Sequence, residues 1–310
     1  MDIILAVLLD LLIGDPYSFP HPVKYMGKLI SVEDKLQRKI FKTKKGLKIG
    51  GFIMAFLNIC IAYFVPFLLL KSIKKYELIY HIVNVYLIYT CIAARCLHKE
   101  AMKVYKGFDN GIEEARLKLS YIVGRDTENL TESEIIKADI ETVAENTSDG
   151  VIAPIFYILL FGAPGGMMYK MINTMDSMLG YMNQKYIHLG YFPARVDDVF
   201  NFIPARISGI LMCVSSMFKY DVKNGFKIML RDRKNHKSPN SAYPEGAVAG
   251  LLNIQLGGSS YYFGKIVEKP TIGDDNRSLE KDDIKRTVEI MYRAEMLLIF
   301  IYICIVLLEK

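Results

Sequence analysis

An uncharged apolar run from Ile49 to Leu70 constrains this chain more than any other feature. A helix needs roughly 20 mostly apolar residues to cross the hydrocarbon core of a bilayer, because each backbone polar group must be satisfied inside the segment. Leu78 to Leu97 nearly repeats the pattern, with only His81 and Arg95 in it, and Met296 to Leu308 follows Glu295 as a third apolar stretch. A hydrophobic content of 52% in 310 residues would be tolerable in a soluble protein; the gathering of apolar residues into a few runs is the membrane signal. Ile3 to Ile13 is apolar too, but Asp2 precedes it, Asp10 interrupts it and no basic flank or small-residue cleavage site accompanies it, so it reads as retained.

The formal net charge of +6 invites a nucleic-acid partner, yet the basic residues sit beside the apolar runs and form no single patch. Lys35, Arg38, Lys39, Lys42, Lys44, Lys45 and Lys48 precede the first run; Lys99, Lys103 and Lys106 follow the second. Such flanks face the cytoplasm as a rule, with Lys71, Lys74 and Lys75 as the competing cluster. The placement points to a lipid bilayer as the partner and to no nucleic acid. The five cysteines fall in apolar stretches without paired or metal-like spacing, which predicts small core residues and no disulfide framework.

Without internal repeats or linkers, residues 1–310 read as one membrane-embedded domain. Gly14-Asp15-Pro16 and Pro20-His21-Pro22 cannot continue a helix. His98 to Gly150 has helical patterning broken at Gly124-Arg125-Asp126-Thr127, with Thr131 and Glu134 at capping-box spacing. From Val151 the apolar character returns, interrupted by Pro154, Gly162 and Pro164; Val199 to Phe218 could also span, although it contains Pro204 and Arg206. Interrupted helices at membrane depth require a protein-lined or water-filled cavity, so one is expected here. If both segments cross fully, 169–198 lies apart from the other polar segments, so one or both could be re-entrant. Lys219 to Ile290 is basic and reads as cytoplasmic. The expected fold is all-α: a polytopic helical membrane protein with broken or re-entrant helices and cytoplasmic helical loops.

Three polar clusters could carry chemistry. On a helix Glu141, Glu145 and Asp149 are spaced four apart, and no basic residue at helical spacing relieves their repulsion; a hard cation such as magnesium would, or the stripe is simply a solvated face. A second cluster holds Asn173, Asp176, Arg195, Asp197, Asp198 and Arg206, suited to an anionic phosphate and its metal, or to internal pairing of the arginines with Asp197 and Asp198. The third runs through Ser238-Pro239-Asn240 to Glu245, with a Gly-rich stretch at Leu256 to Gly264 that is more often a turn than an anion cradle. No P-loop or Rossmann fingerprint occurs, and the five histidines lack metal-ligand spacing.

Taken in order, Leu8-Leu9-Asp10 through Gly14-Asp15-Pro16, His21-Pro22-Val23, Gly124-Arg125-Asp126, Glu141-Thr142-Val143-Ala144-Glu145-Asn146, Asp149-Gly150, Asn173-Thr174, Asp176-Ser177-Met178, Ala194-Arg195, Asp197-Asp198, Pro204-Ala205-Arg206 and Ser238-Pro239-Asn240 resemble the CobD/CbiB family up to about Gly264. Ala242 and Tyr243 depart from it, standing where the family carries Gly and Trp after the SPN motif. The resemblance implies a multi-pass inner-membrane enzyme of cobalamin assembly with a cytoplasmic site, working alongside other late-stage assembly enzymes. The implied reaction condenses adenosylcobyric acid with aminopropanol or its phosphate, using ATP and magnesium. It further implies magnesium at Glu141, Glu145, Asp149 and Asp176; nucleotide or substrate at Arg125, Asn146, Asn173, Arg195, Arg206, Ser238 and Asn240; and proton transfer at Asp197, Asp198 or Glu245. A membrane corrinoid carrier, or a non-catalytic sensor akin to the ampicillin-resistance membrane protein, is the rival reading.

Overall fold

The computed structural model describes residues 1–16, 19–262 and 264–308, and helix accounts for 72% of it. Four helical stretches are long and apolar enough to cross a membrane: Lys44–Ile73, Glu77–Asn110, Glu132–Leu179 and Asp282–Leu308. Tyr191–Phe200 and Phe202–Ser215 make a fifth if taken as one broken span. The all-α membrane expectation holds, with each run long enough to span inside one of these stretches or the broken pair, except that Val199 to Phe218 extends past the pair's end at Ser215.

The chain falls into two compact units, each assembled from separate stretches: 1–93 with 153–201, and 94–152 with 202–310. The first unit holds α1 (Asp2–Ile13), α2 (Pro22–Ile40), α3 (Lys44–Ile73), α4 (Glu77–Tyr89), α8 (Ala153–Leu179) and α9 (Tyr191–Phe200), numbered in chain order. The apolar run of α3 turns Phe52, Phe56, Phe64, Val65 and Leu68 outward and buries Met54, Ala55 and Ala62, as a lipid-facing helix does. Its Gly51 lies so close to the Leu189 carbonyl that a Cβ would stand 2.0 Å from that oxygen. Buried Asn58 ties α3 to α2 by donating to Glu33 Oε2 at 2.6 Å. Inside α8 the backbone breaks at Gly162 (φ 69°), just before Pro164, at one of the positions where the sequence interrupts its apolar run.

The second unit is α5 (Ala94–Gly107), α6 (Ile112–Ser120), α7 (Glu132–Thr147), α10 (Phe202–Ser215), α11 (Val222–Asp232), α12 (Ala242–Leu252) and α13 (Asp282–Leu308). Val104, Ala115, Leu119, Leu130, Ile135 and Ala138 pack a core where α5, α6 and α7 meet. The Gly-rich stretch is neither helix nor plain turn. Leu256–Gly257 (β1) pairs antiparallel with Thr271–Ile272 (β4), and Ser260–Tyr262 (β2) with Lys265–Val267 (β3). The carboxyl-terminal half of α13 exposes Met296, Phe300, Ile301, Ile305 and Leu308. Its amino-terminal half instead buries Asp283 against Arg277 and Arg286, at 2.7 and 2.6 Å, so one helix passes from an ion-paired base into an apolar stem.

Candidate functional site

The site grows from the phasing of α7. Thr131 Oγ1 accepts the Glu134 amide while Glu134 Oε2 accepts the Thr131 amide at 2.8 Å, a complete capping box that fixes where the helix begins. Glu141 and Glu145 then share a face one turn apart. A π-helical turn at Ser148–Ile152 follows at once, so Asp149 does not continue that face in α register.

Glu141 is fully engaged. Its Oε2 accepts Arg125 Nη2 at 2.6 Å and its Oε1 accepts the Gly257 amide at 2.7 Å. The relief that sequence spacing assigns to a cation therefore comes, for Glu141, from an arginine on a separate loop. Glu145 Oε1 accepts the Ser241 hydroxyl at 2.8 Å. Ser241 caps α12, whose first turn carries Glu245, only 3% exposed. Burial drives Glu245's proton affinity well above the ordinary carboxylate range; Glu141 and Glu145 push it further, while Lys269 and Arg125 pull against them.

The SPN loop borders this carboxylate group. His236 Nδ1 accepts the Ser238 amide at 3.0 Å, and Ser238 Oγ accepts the Asn240 amide at 3.2 Å. Burial lowers His236's proton affinity against the opposing pull of Glu145, which leaves a neutral ring with its hydrogen on Nε2. Asn240 Oδ1 accepts Arg206 Nη1 at 3.3 Å. The Arg206 guanidinium lies 3.6 Å from the Phe202 ring centroid and 4.2 Å from that of Tyr243, so the residue that departs from the family pattern still supplies an aromatic face. Among the described residues no carboxylate pairs with Arg206 within its unit. Rings and carbonyl oxygens hold a cation whose remaining N–H groups can take an anion.

Arg125, Glu141, Glu145, Arg206, Ser238, Asn240 and Glu245 are thus linked through one set of loops in the second unit. Asn146, on α7, spends its amide on the Thr142 carbonyl at 2.9 Å. Asp149 stays in the second unit, in the π turn after α7, whereas Asn173, Asp176, Arg195, Asp197 and Asp198 lie in the first unit. Arg195 pairs there with Asp198 at 3.4 Å, and Asp197 accepts Asn201 Nδ2 at 3.0 Å, with Asn201 in turn accepting the Tyr169 hydroxyl at 2.7 Å. Internal pairing, one of the two sequence readings, is what the structure shows for Arg195 but not for Arg206. Asn173 and Asp176 sit on α8, where their backbone carbonyls accept the Ser177 hydroxyl and the Gly180 amide. Among the described residues no three His, Cys, Asp or Glu side chains are grouped so as to hold a metal ion by themselves. Sequence reasoning gave no site role to His236 or Lys269, and none to Ser241 and Ser260 although both lie within its third cluster. Ser241 adjoins the SPN motif and was within reach; Lys269 carries no local signal.

A family model described as CobD/Cbib protein matches residues 3–291. Similar proteins include the cobalamin biosynthesis protein CobD of Clostridium tetani, 61% identical over 97% of this chain and 96% of its own length. Those of Clostridium acetobutylicum and Listeria monocytogenes are 55% and 46% identical, over 99% and 98% of this chain and 98% and 97% of their own lengths. No solved structure matches. With identity this high across nearly the full length of both partners, the chain belongs to the CobD/Cbib family.

Proposed function

We propose that this chain acts in cobalamin biosynthesis as an ATP-dependent amide synthase, joining adenosylcobyric acid to aminopropanol or its phosphate at the cytoplasmic face of the inner membrane. The observation that carries this reading is Glu245: a buried carboxyl with raised proton affinity beside Glu141–Arg125 and Glu145–Ser241, reached through the SPN loop.

The chemistry asked of the site has two parts. An oxygen of the corrinoid carboxylate attacks the terminal phosphorus of ATP and ADP leaves; the amine nitrogen then attacks the acyl carbon and inorganic phosphate leaves. Stabilising phosphoryl transfer takes cations and aimed donors more than covalent help. Arg206, clamped by two rings, offers a forked cation to a phosphate group, and the Ser238 and Asn240 side chains border it. The incoming ammonium must lose a proton before its nitrogen can attack. Glu245 takes that proton, and its raised affinity moves it closer to the working pH than an ordinary carboxylate would stand. Asp197 and Asp198, held in pairings of the first unit, leave this role to Glu245.

Magnesium fits a limited part of this donor set. Glu141 has both oxygens engaged, whereas Glu145 has one hydrogen-bonded oxygen and Glu245 accepts no hydrogen bond among the described residues. Glu145 would hold the ion through its other oxygen while Glu245 serves as the base, the rest of the shell coming from phosphate oxygens and water, as is usual for magnesium. When bound it neutralises charge on the phosphates.

Purified protein given adenosylcobyric acid, aminopropanol phosphate and MgATP should release ADP and form the amide product, detected by mass spectrometry. Retained corrinoid with no ADP and no product would move the assignment to a carrier or sensor.

A further inference from the structure

The hairpin of β2 and β3 is bound to the loop that carries Arg125. Arg125 Nη1 donates to Ser260 Oγ at 3.2 Å, the Asp126 amide donates to the Tyr261 carbonyl at 2.9 Å, and Asp126 Oδ2 accepts the Gly264 amide at 2.7 Å. Arg125 in turn grips Glu141, so the hairpin is fixed against the carboxylate group. Just past β3, half-buried Lys269 turns back and donates to the Tyr262 hydroxyl at 3.2 Å, with its ammonium 5.4 Å from that ring's centroid.

An ammonium carries three donors, and one is used here. Among the described residues Lys269 has no carboxylate partner, unlike Arg125, whose charge is already spent on Glu141. It nonetheless acts electrostatically on both Glu245 and His236, which places it at the same group of side chains. A polyphosphate entering beside Glu141 and Glu145 meets negative charge on α7 and needs an uncommitted cation nearby. Lys269 has donors to spare and follows directly on a hairpin anchored by three hydrogen bonds to the loop of Arg125. The Tyr262 hydroxyl restrains its otherwise mobile stem, which lowers the ordering cost when a ligand arrives.

We infer that Lys269 is a phosphate-binding residue of this site, donating to the β- or γ-phosphate of a nucleoside triphosphate. The inference rests on the proposed nucleotide-dependent reaction, and the test separates the two. Binding of MgATP, MgADP and AMP to the purified full-length protein in detergent is measured by calorimetry for the unaltered chain, Lys269→Met and Lys269→Arg. Losing one charge-assisted hydrogen bond should weaken MgATP about tenfold in Lys269→Met, leave AMP unchanged and be largely restored in Lys269→Arg. Equal MgATP affinity in Lys269→Met and the unaltered chain overturns the inference and leaves the proposed reaction standing. So does equal weakening of AMP and MgATP, which marks a general loss of the site. Failure of the unaltered chain to bind any nucleotide overturns both.

Discussion

Glu245 holds its proton to a higher pH than an ordinary carboxylate because it is buried and because ionising it places a third negative charge beside Glu141 and Glu145. In the unfolded chain the same group ionises at about 4.3. Between that value and the raised one the folded chain binds the extra proton, so Glu245's contribution to stability is full below the ordinary carboxylate range and is lost as pH rises through the raised value. Glu245→Gln, a neutral mimic of the protonated acid, should flatten the fall of melting temperature measured from about pH 5 to 8, while abolishing the rise of kcat with pH. Arg125 behaves oppositely. Its pair with Glu141 is mostly buried, with side chains 14% and 9% exposed, so Arg125→Met strands a charge and should cost about 3 kcal/mol or more in thermal unfolding. Adding Glu141→Gln should recover much of that loss, and failure to recover it would show that the pair is not what the arginine stabilises.

Among the helices, α11 and α12 show how closely two elements can be pressed together when the sequence allows it. A Cβ at Gly250 would stand 2.4 Å from the Asn224 carbonyl oxygen and 2.7 Å from Gly225 Cα, both backbone atoms that cannot turn aside. Gly250→Ala should therefore destabilise by about 1–3 kcal/mol, and because α12 presents Glu245 it should lower activity further than its stability loss alone accounts for. Thr131→Ala removes half of the capping box of α7 and should cost about 1 kcal/mol, read in the same unfolding assay. That capping box was legible in the sequence because its partners lie three residues apart. The partners of the α7 carboxylates were not, since Arg125, Ser241 and Gly257 stand 16, 96 and 116 residues away in sequence from the glutamates they bond. Local spacing exposes a stripe of like charge but cannot show which distant donor answers it. The π turn that takes Asp149 out of register likewise leaves no mark on a pattern read at four-residue spacing.

The apolar runs were the most readable part of the chain, because crossing lipid demands composition and length together and nothing distant can substitute for either. Division into two units was not readable, since each is assembled from stretches far apart in the chain and no linker composition marks the crossings at 93, 152 and 201. By the usual charge bias, the basic residues between Lys219 and Ile290 predict a cytoplasmic side for that segment. In a chain whose five cysteines are replaced, Lys237→Cys should react with a membrane-impermeant maleimide in inverted vesicles and resist it in intact spheroplasts; the reverse result would put the site on the other face. The broken continuity of the second unit also sets a timetable. Glu141 and Glu145 leave the ribosome roughly a hundred residues before Ser241 and Gly257 exist to receive them. Until the last third of the polypeptide has been synthesised, α7 carries carboxylates that lack these donors, so a chain stalled or truncated ahead of β1 should be an early substrate for membrane quality-control proteolysis.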